Sequence, residues 1–198
     1  MSVTPKLPIS PPMGEMAGRP EGGNVERGTP TIGDLATALL EACRARGIMA
    51  ATAESCTGGM IAAALTDIAG SSDVVDRGFI TYSNEAKIEM IGVSKATLDA
   101  CGAVSRETAL EMASGALARS NAGIALAVTG IAGPGGGSVE KPVGLVWFGL
   151  AMRGRETVAK RRLFDDRGRA YIRSETVRAA FEMALEALGA GAQAVGAP

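Results

Sequence analysis

Three residues with nucleophilic side chains stand next to one another in the segment ATAESCTGGM, residues 51–60. They are Ser55, Cys56 and Thr57, and the 198-residue sequence contains no histidine that could activate any of them. The absence of histidine excludes Ser-His-Asp and Cys-His catalysis, and also zinc or haem held by histidine. Proton transfer must therefore use lysine, a carboxylate, tyrosine, cysteine, the α-amine or water.

The same segment marks the point where a predicted strand ends, at Ala53, and a predicted helix begins. The free N–H groups and the dipole of that helix would form a site for an anion or a developing oxyanion. Gly58 and Gly59 let the backbone approach a ligand closely. A Ser or Thr at this place is equally typical of a simple helix N-cap, and the segment alone leaves both interpretations open.

A lysine follows the next predicted strand, in the segment YSNEAK, residues 82–87. Tyr82 ends the strand, and Lys87 lies on the helix that comes after it. In a chain without histidine, Lys87 is a natural general base, provided that burial or a nearby cation lowers its pKa. A lone lysine on a helix is more often solvated, so the pattern by itself does not decide.

A glycine-rich loop follows a third predicted strand, in the segment VTGIAGPGGG, residues 128–137. Ligands of parallel α/β sheets bind at the carboxyl ends of the strands, where Thr129 and the Gly130 amide would lie. The segment matches neither a Walker A loop nor the GxGxxG pattern. A mobile hairpin-like loop and a phosphate cradle are equally good interpretations.

Two arginines lie four residues apart at the predicted start of the last helix. Arg169 and Arg173 share one face of that helix near its N-terminus. Arginine at this end opposes the helix dipole, which indicates an anionic partner. A solvated helix start is the alternative interpretation.

The composition narrows the class of protein. The 198 residues are 46% hydrophobic and 21% charged with a net charge of −1, which predicts a globular domain with neither nucleic acid nor a membrane as partner. No apolar stretch reaches the ~18 residues that a membrane span needs. The cysteines Cys43, Cys56 and Cys101 form no CxxC motif, so we expect no disulfide framework and a cytoplasmic protein.

Residues 1–30 are rich in Pro and Gly and predict a disordered tail, and residues 189–198 predict a second, flexible one. Between them, over 31–188, predicted strands and helices alternate. The first helix begins near Asp34 as its cap, and a β-hairpin turns near Arg153–Gly154. The fold class is therefore α/β: a three-layer α/β/α sandwich with a mixed, mostly parallel sheet.

The ordered series ESCTGG, YSNEAK and TGIAGPGGG, followed by KPVGLVWFGL, resembles the CinA C-terminal domain family, the nicotinamide-nucleotide amidohydrolases. The resemblance covers about residues 33–188. It implies a three-layer α/β/α fold, and hydrolysis of the carboxamide of nicotinamide mononucleotide to nicotinic acid mononucleotide and ammonia. It also implies catalysis by a serine and a lysine, with no metal and no cofactor. Full-length CinA proteins carry an additional N-terminal domain, so we expect the stand-alone form here.

This chemistry assigns roles to the residues singled out above. Ser55 attacks the carboxamide carbon, Lys87 takes its proton, and Tyr82 orients or relays that proton. The oxyanion is held by backbone amides after Ser55 together with Thr129 or Gly130. The residues expected to bind the substrate are Glu54, Thr57, Gly58, Gly130, Gly133, Gly135, Gly136, Arg169 and Arg173.

Several points stay open in the sequence. Glu54 either faces the cationic pyridinium ring or shapes the turn, and the register of FDDRGRAYIR allows Arg167 or Arg169 at the phosphate. Cys56 is the second candidate nucleophile, since a helix start would lower its pKa. Ser105 is expected to cap its helix.

Two other functions remain possible: a non-catalytic nucleotide-binding or regulatory module, and a Ser-Lys amidase on another carboxamide. A requirement for the 5′-phosphate separates the second of these from the nucleotide enzyme. The abundance of small apolar residues permits close helix packing between subunits, so we expect a homo-oligomer.

Overall fold

The computed structural model describes residues 29–189. The predicted tails lie outside the described residues, apart from positions 29, 30 and 189. The strands are β1 (Ala50–Glu54), β2 (Val75–Ile80), β3 (Ile124–Gly130), β4 (Leu145–Met152) and β5 (Val158–Leu163). The helices are α1 (Ile32–Arg44), α2 (Met60–Thr66), α3 (Asn84–Ile91), α4 (Lys95–Cys101), α5 (Arg106–Ala118) and α6 (Arg169–Ala187). No helix of this part of the chain is long and apolar enough to cross a membrane.

The five strands form one mixed sheet in the order β2-β1-β3-β4-β5. β1 pairs in parallel with both β2 and β3, whereas β4 is antiparallel to β3 and to β5. The mixed sheet and its hairpin are confirmed. The expectation that the sheet is mostly parallel is wrong, since two pairings are parallel and two are antiparallel. The reason is that β3 and β4 are joined by a loop rather than by a crossover helix.

Helices cover both faces of this sheet, which confirms the three layers. α1, α2 and α6 pack together on one face, and α3, α4 and α5 lie on the other. Successive side chains of β3 point to opposite faces of the sheet. Ile124, Leu126 and Val128 belong to the core beneath α1 and α6. Ala125 and Ala127 belong to the core beneath α5. The small side chains let α5 lie close to the sheet.

The first helix begins earlier than predicted. Thr31, not Asp34, is the N-cap of α1, and its side-chain oxygen accepts from the Asp34 amide at 3.1 Å. The Asp34 carboxylate in turn accepts from the Thr31 amide at 2.8 Å. The two residues form a capping box, in which the residue three positions into the helix reaches back to the cap.

The parallel strands bring the three predicted motifs to one edge of the sheet. In the register, Glu54 of β1 is opposite both Ile80 of β2 and Val128 of β3. The loops that follow these strands therefore emerge side by side at the carboxyl ends of the strands. The N-terminus of α6 reaches the same edge, since the Arg169 side chain contacts residues of two of these loops.

Candidate active site

Ser55 and Lys87 meet at this edge. The Nζ atom of Lys87 lies 3.2 Å from Ser55 Oγ, 2.8 Å from the Thr81 carbonyl oxygen and 3.4 Å from the Ser83 carbonyl oxygen. Ser55 is partly exposed, whereas Lys87 is only 1% exposed. The predicted nucleophile is thus accessible, and the predicted base lies behind it.

The start of α3 explains how Lys87 is placed. Ser83 is the N-cap of this helix, and its Oγ accepts from the Ala86 amide at 3.0 Å. Lys87 follows one turn later on the buried side of α3, which packs on β2 and α5. Burial lowers the pKa of Lys87 below its ordinary value, and the nearby Cys56 and Glu85 only partly oppose this shift.

A neutral amine in this position is oriented by its neighbours. It has two N–H groups and one lone pair, and the carbonyl groups of Thr81 and Ser83 can take both N–H groups. The lone pair is then left for the hydroxyl proton of Ser55. The contribution of Thr81 and Ser83 was not predicted, because backbone carbonyl groups carry no sequence signal.

The N-terminus of α2 is not free for an anion, and this prediction is wrong. The helix begins at Met60, five residues after Ser55, with Gly59 as an N-cap at φ 102°. The Glu54 carboxylate accepts from the amides of Gly59, Ile61 and Ala62 at 3.0, 3.0 and 2.8 Å. Glu54 is fully buried. It therefore shapes the turn, and the expectation that it faces the pyridinium ring is wrong.

The two neighbours of Ser55 in the turn are poor nucleophiles. Cys56 is 6% exposed, and burial raises the pKa of its thiol to about 12, with a further contribution from the Glu54 charge. The expected lowering of its pKa by a helix start is wrong, because no helix begins there. The side chain of Thr57 is also buried, and its hydroxyl has no hydrogen-bond partner among residues 29–189.

The amides of the turn differ in what they contact. The Ser55 amide donates to the Val128 carbonyl oxygen at 3.1 Å, and the Gly58 amide donates to the Ser55 carbonyl oxygen at 3.1 Å. Within the described chain, the amides of Cys56 and Thr57 donate to no backbone carbonyl group. Neither amide is therefore committed to a backbone hydrogen bond of the turn, although Cys56 is only 6% exposed and Thr57 is fully buried.

Thr129 and Gly130 end β3 next to the turn. The Thr129 hydroxyl donates to the Ala103 carbonyl oxygen at 2.7 Å, so it would have to leave this partner to bind an oxyanion. Gly130 has little room for a side chain, because a Cβ there would lie 2.7 Å from the Leu145 carbonyl oxygen. The oxyanion role of Thr129 or Gly130 stays a prediction.

Arg169 links two loops across the edge of the sheet. Its Nη2 donates to the hydroxyl of Tyr82 at 3.0 Å, and its Nη1 donates to the Gly133 carbonyl oxygen at 3.0 Å. Tyr82 is 61% exposed, and no hydrogen bond in the described residues joins it to Ser55 or Lys87. The expectation that Tyr82 orients or relays the proton of Ser55 stays a prediction.

Arg173 and Arg167, the other two arginines near the start of α6, have different partners. Arg173 Nη2 donates to the Thr57 carbonyl oxygen at 2.6 Å, and its buried Nε has no partner in the described part of the chain. The guanidinium of Arg167 lies 4.4 Å from the ring centroid of Tyr171. Only Arg169 is both exposed and in contact with two of the motifs, which favours the register that uses Arg169.

The glycine-rich loop forms a hairpin-like connection between β3 and β4. The Ser138 amide donates to the Lys141 carbonyl oxygen at 2.9 Å, and the Lys141 ammonium donates to the Cys101 carbonyl oxygen at 2.7 Å. Gly58, Gly135 and Gly136 are exposed and face solvent at this edge. Their substrate contacts stay predictions.

Two further points concern the surroundings of the site. Ser105 caps α5 as predicted, since its Oγ accepts from the Thr108 amide at 3.2 Å. Over residues 29–189, no group of three or more His, Cys, Asp or Glu side chains is placed to hold a metal ion.

A family model, several named proteins and several solved structures are similar to this chain. A family model described as the CinA C-terminal domain matches residues 33–188. Nicotinamide-nucleotide amidohydrolase PncC of Enterobacter agglomerans is 54% identical over 135 residues, 68% of this chain and 82% of that protein. The protein of the same name from Shigella flexneri is 52% identical over 139 residues, 70% of this chain and 84% of that protein. The crystal structure of competence/damage inducible protein CihA from Agrobacterium tumefaciens matches with a TM-score of 0.77 and 57% identity, covering 80% of this chain and 95% of that one.

Proposed function

The chain belongs to the CinA C-terminal domain family, and we propose that it is a nicotinamide-nucleotide amidohydrolase with a Ser55–Lys87 pair at its centre. It converts nicotinamide mononucleotide and water to nicotinic acid mononucleotide and ammonia. The similarity to two proteins named PncC supports the reaction. The observation that supports the pair is the 3.2 Å distance between Ser55 Oγ and the Nζ of a buried Lys87.

The first half of the reaction transfers the nicotinoyl group to the enzyme. Ser55 Oγ attacks the carboxamide carbon while its proton moves to the lone pair of Lys87 Nζ. The tetrahedral intermediate then collapses, the C–N bond breaks, and Lys87 returns the proton to the departing nitrogen, which leaves as ammonia. An ester between Ser55 and the nicotinoyl carbon remains.

The second half uses water in place of the serine hydroxyl. Lys87 takes a proton from a water molecule while the oxygen of that water attacks the ester carbon. Collapse of the second tetrahedral intermediate breaks the bond to Ser55 Oγ, which recovers its proton from Lys87. The nicotinic acid mononucleotide leaves, and Ser55 and Lys87 regain their starting states.

The amides of Cys56 and Thr57 are the proposed oxyanion donors. They flank Ser55 on its C-terminal side and donate to no backbone carbonyl group in the described chain. Donors that are already oriented stabilise the developing charge without reorganisation. Gly130 completes this set in the proposal.

Arg169 is the proposed ligand of the 5′-phosphate. The N-terminus of α2 already holds the Glu54 carboxylate, and Arg173 already holds the Thr57 carbonyl group. Arg169 is exposed and, within residues 29–189, bonds only to a tyrosine hydroxyl and one carbonyl group. A phosphate can replace these neutral acceptors with charge-assisted hydrogen bonds.

We also propose that the protein is a cytoplasmic homo-oligomer. The compartment is supported by the free state of Cys43, Cys56 and Cys101. Oligomerisation is supported by the exposed apolar side chains of Ile80 and Tyr82 beside the site.

The reaction is tested by adding nicotinamide mononucleotide to the purified full chain in the presence of a chelator. We expect stoichiometric ammonia and nicotinic acid mononucleotide, identified by mass, and at least about tenfold slower release from nicotinamide riboside, which lacks the phosphate. Equal release from both would favour a general carboxamide amidase. Nucleotide binding without release by folded protein would favour the regulatory module and contradict the proposal.

A further inference from the structure

The buried carboxylate of Glu54 joins the strand that precedes Ser55 to the helix that follows it. Oε2 accepts from the amides of Gly59 and Ile61, and Oε1 accepts from the Ala62 amide and, at 3.3 Å, from the Thr52 hydroxyl. Gly59 itself provides no side-chain cap. Glu54 therefore acts as the cap of α2 from five residues away, and its negative charge lies at the positive end of the helix dipole.

The segment from Glu54 to Gly59 is held at both ends as a result. The backbone of Glu54 is fixed at the carboxyl end of β1, between β2 and β3, and its carbonyl oxygen accepts from the Thr81 amide at 2.8 Å. Its side chain is fixed on the first turn of α2. The intervening turn is short, and the Gly58 amide closes it further by donating to the Ser55 carbonyl oxygen at 3.1 Å.

The position of Ser55 Oγ depends on this closed turn. Ser55 is the first residue after Glu54, and its own amide is tied to Val128 of β3. Thr81, which donates to the Glu54 carbonyl oxygen, also provides a carbonyl acceptor for Lys87 Nζ at 2.8 Å. Glu54 thus connects the backbone that carries the serine to the backbone that carries a partner of the lysine.

We propose that Glu54 is a positioning residue, which acts through the turn and α2 to set Ser55 Oγ against Lys87 Nζ and touches no substrate. This proposal rests on the proposed function only for its catalytic readout. A carboxylate is required because every neighbour of its two oxygens is a donor. An amide would present N–H groups to donors and leave buried groups unsatisfied, and an aspartate side chain is one methylene shorter.

The test compares Glu54→Gln with Ala63→Gly in the full-length chain. Ala63 is exposed in the middle of α2, so its replacement by glycine weakens the helix without touching the Glu54 carboxylate. We expect Ala63→Gly to lower the melting temperature by about 2–4 °C. The readout is the rate at which a fluorophosphonate probe modifies Ser55, followed by mass, with Ser55→Ala as the blank.

We expect Glu54→Gln to slow the modification of Ser55 by about 100-fold, the effect of a misplacement of the order of 1 Å. The same variant should lower kcat for ammonia release by a similar factor with KM within about twofold. Ala63→Gly should react with the probe at the wild-type rate. A wild-type rate for Glu54→Gln, or an equal loss for Ala63→Gly, overturns the proposal.

A second variant covers the case in which Glu54→Gln does not fold. Thr52→Val keeps the shape of the side chain and removes only its 3.3 Å hydrogen bond to Glu54. We expect it to slow the probe reaction by a few-fold, and an unchanged rate in this variant contradicts the proposal. Rapid probe reaction of the wild type without ammonia release would refute the proposed function and leave the inference on Glu54 standing.

Discussion

Lys87 Nζ lies 3.2 Å from Ser55 Oγ, although the two residues are 32 positions apart in the sequence. The contact is made across two adjacent strands, since Ser55 follows β1 and Lys87 follows β2 by one helical turn. The serine is partly exposed and the lysine is buried. This pairing of an accessible hydroxyl with a desolvated amine is the basis of the following predictions.

The thiol of Cys56 is expected to be inert. With a pKa raised to about 12, only about one thiol in 10,000 is ionised near pH 8. Iodoacetamide should therefore leave ammonia release unchanged, and mass spectrometry should find the half-buried Cys101 modified before Cys43 and Cys56. Modification of Cys56 as fast as that of Cys101 would contradict this prediction.

The lowered pKa of Lys87 predicts how stability depends on pH. Between that lowered pKa and about 10.5, the unfolded chain binds the proton that the folded protein does not. Burial of Lys87 therefore lowers the free energy of unfolding. This unfavourable contribution has its full size below the folded pKa of Lys87 and disappears as the pH rises to about 10.5.

The variant Lys87→Met removes this contribution. Its free energy of unfolding relative to wild type should be most favourable below the folded pKa of Lys87, and this advantage should decrease as the pH rises from that pKa toward about 10.5. Urea unfolding of both proteins at several pH values measures the difference. A difference that does not change with pH would mean that the pKa of Lys87 is not lowered.

Variants of Arg169 and Arg167 should distinguish an arginine that binds the substrate phosphate from one that only packs on the surface of α6. Loss of a charge-assisted hydrogen bond costs about 1.5–3 kcal/mol, so Arg169→Ala should raise KM for nicotinamide mononucleotide by about 10- to 100-fold. The same change should leave KM for nicotinamide riboside unaltered. Arg167, which stacks on Tyr171, provides the matched control, and Arg167→Ala should change KM less than about twofold. An equal effect of both variants would place the phosphate elsewhere.

Two glycines predict opposite effects of the same substitution on stability. A Cβ at Gly149 of β4 would lie 2.1 Å from the Ala109 carbonyl oxygen of α5, so Gly149→Ala should destabilise the fold by about 2–4 kcal/mol. A Cβ at Gly33 in α1 makes only an ordinary contact at 3.7 Å, and Gly33→Ala should stabilise by up to about 1 kcal/mol. Urea unfolding distinguishes the two. A stable Gly149→Ala variant would mean that α5 is not held so close to the sheet.

The order of the elements, and the edge of the sheet that carries the site, could be predicted from the sequence because both follow from local patterns. The helix start at Ser105 and the hairpin turn near Arg153–Gly154 depend on residues within a few positions of each other. The parallel pairing of the first three strands then brings three motifs together without any further information.

The contacts between distant residues could not be predicted in the same way. Arg169 contacts the Tyr82 hydroxyl across 87 positions, and Arg173 contacts the Thr57 carbonyl oxygen across 116. Such contacts depend on where α6 crosses the sheet, which periodicity does not specify. The cap that Glu54 provides for α2 is local, but it was missed because caps are expected immediately before a helix and not five residues earlier.

The central claim is that Ser55 and Lys87 act as one catalytic pair. The most direct measurement is the rate of ammonia release from nicotinamide mononucleotide by wild type, Ser55→Ala and Lys87→Met, with the fold of each confirmed by circular dichroism. We expect both variants to lose at least about 1,000-fold, because neither the nucleophile nor the base acts alone. Release by folded Lys87→Met within about tenfold of the wild-type rate would contradict the account.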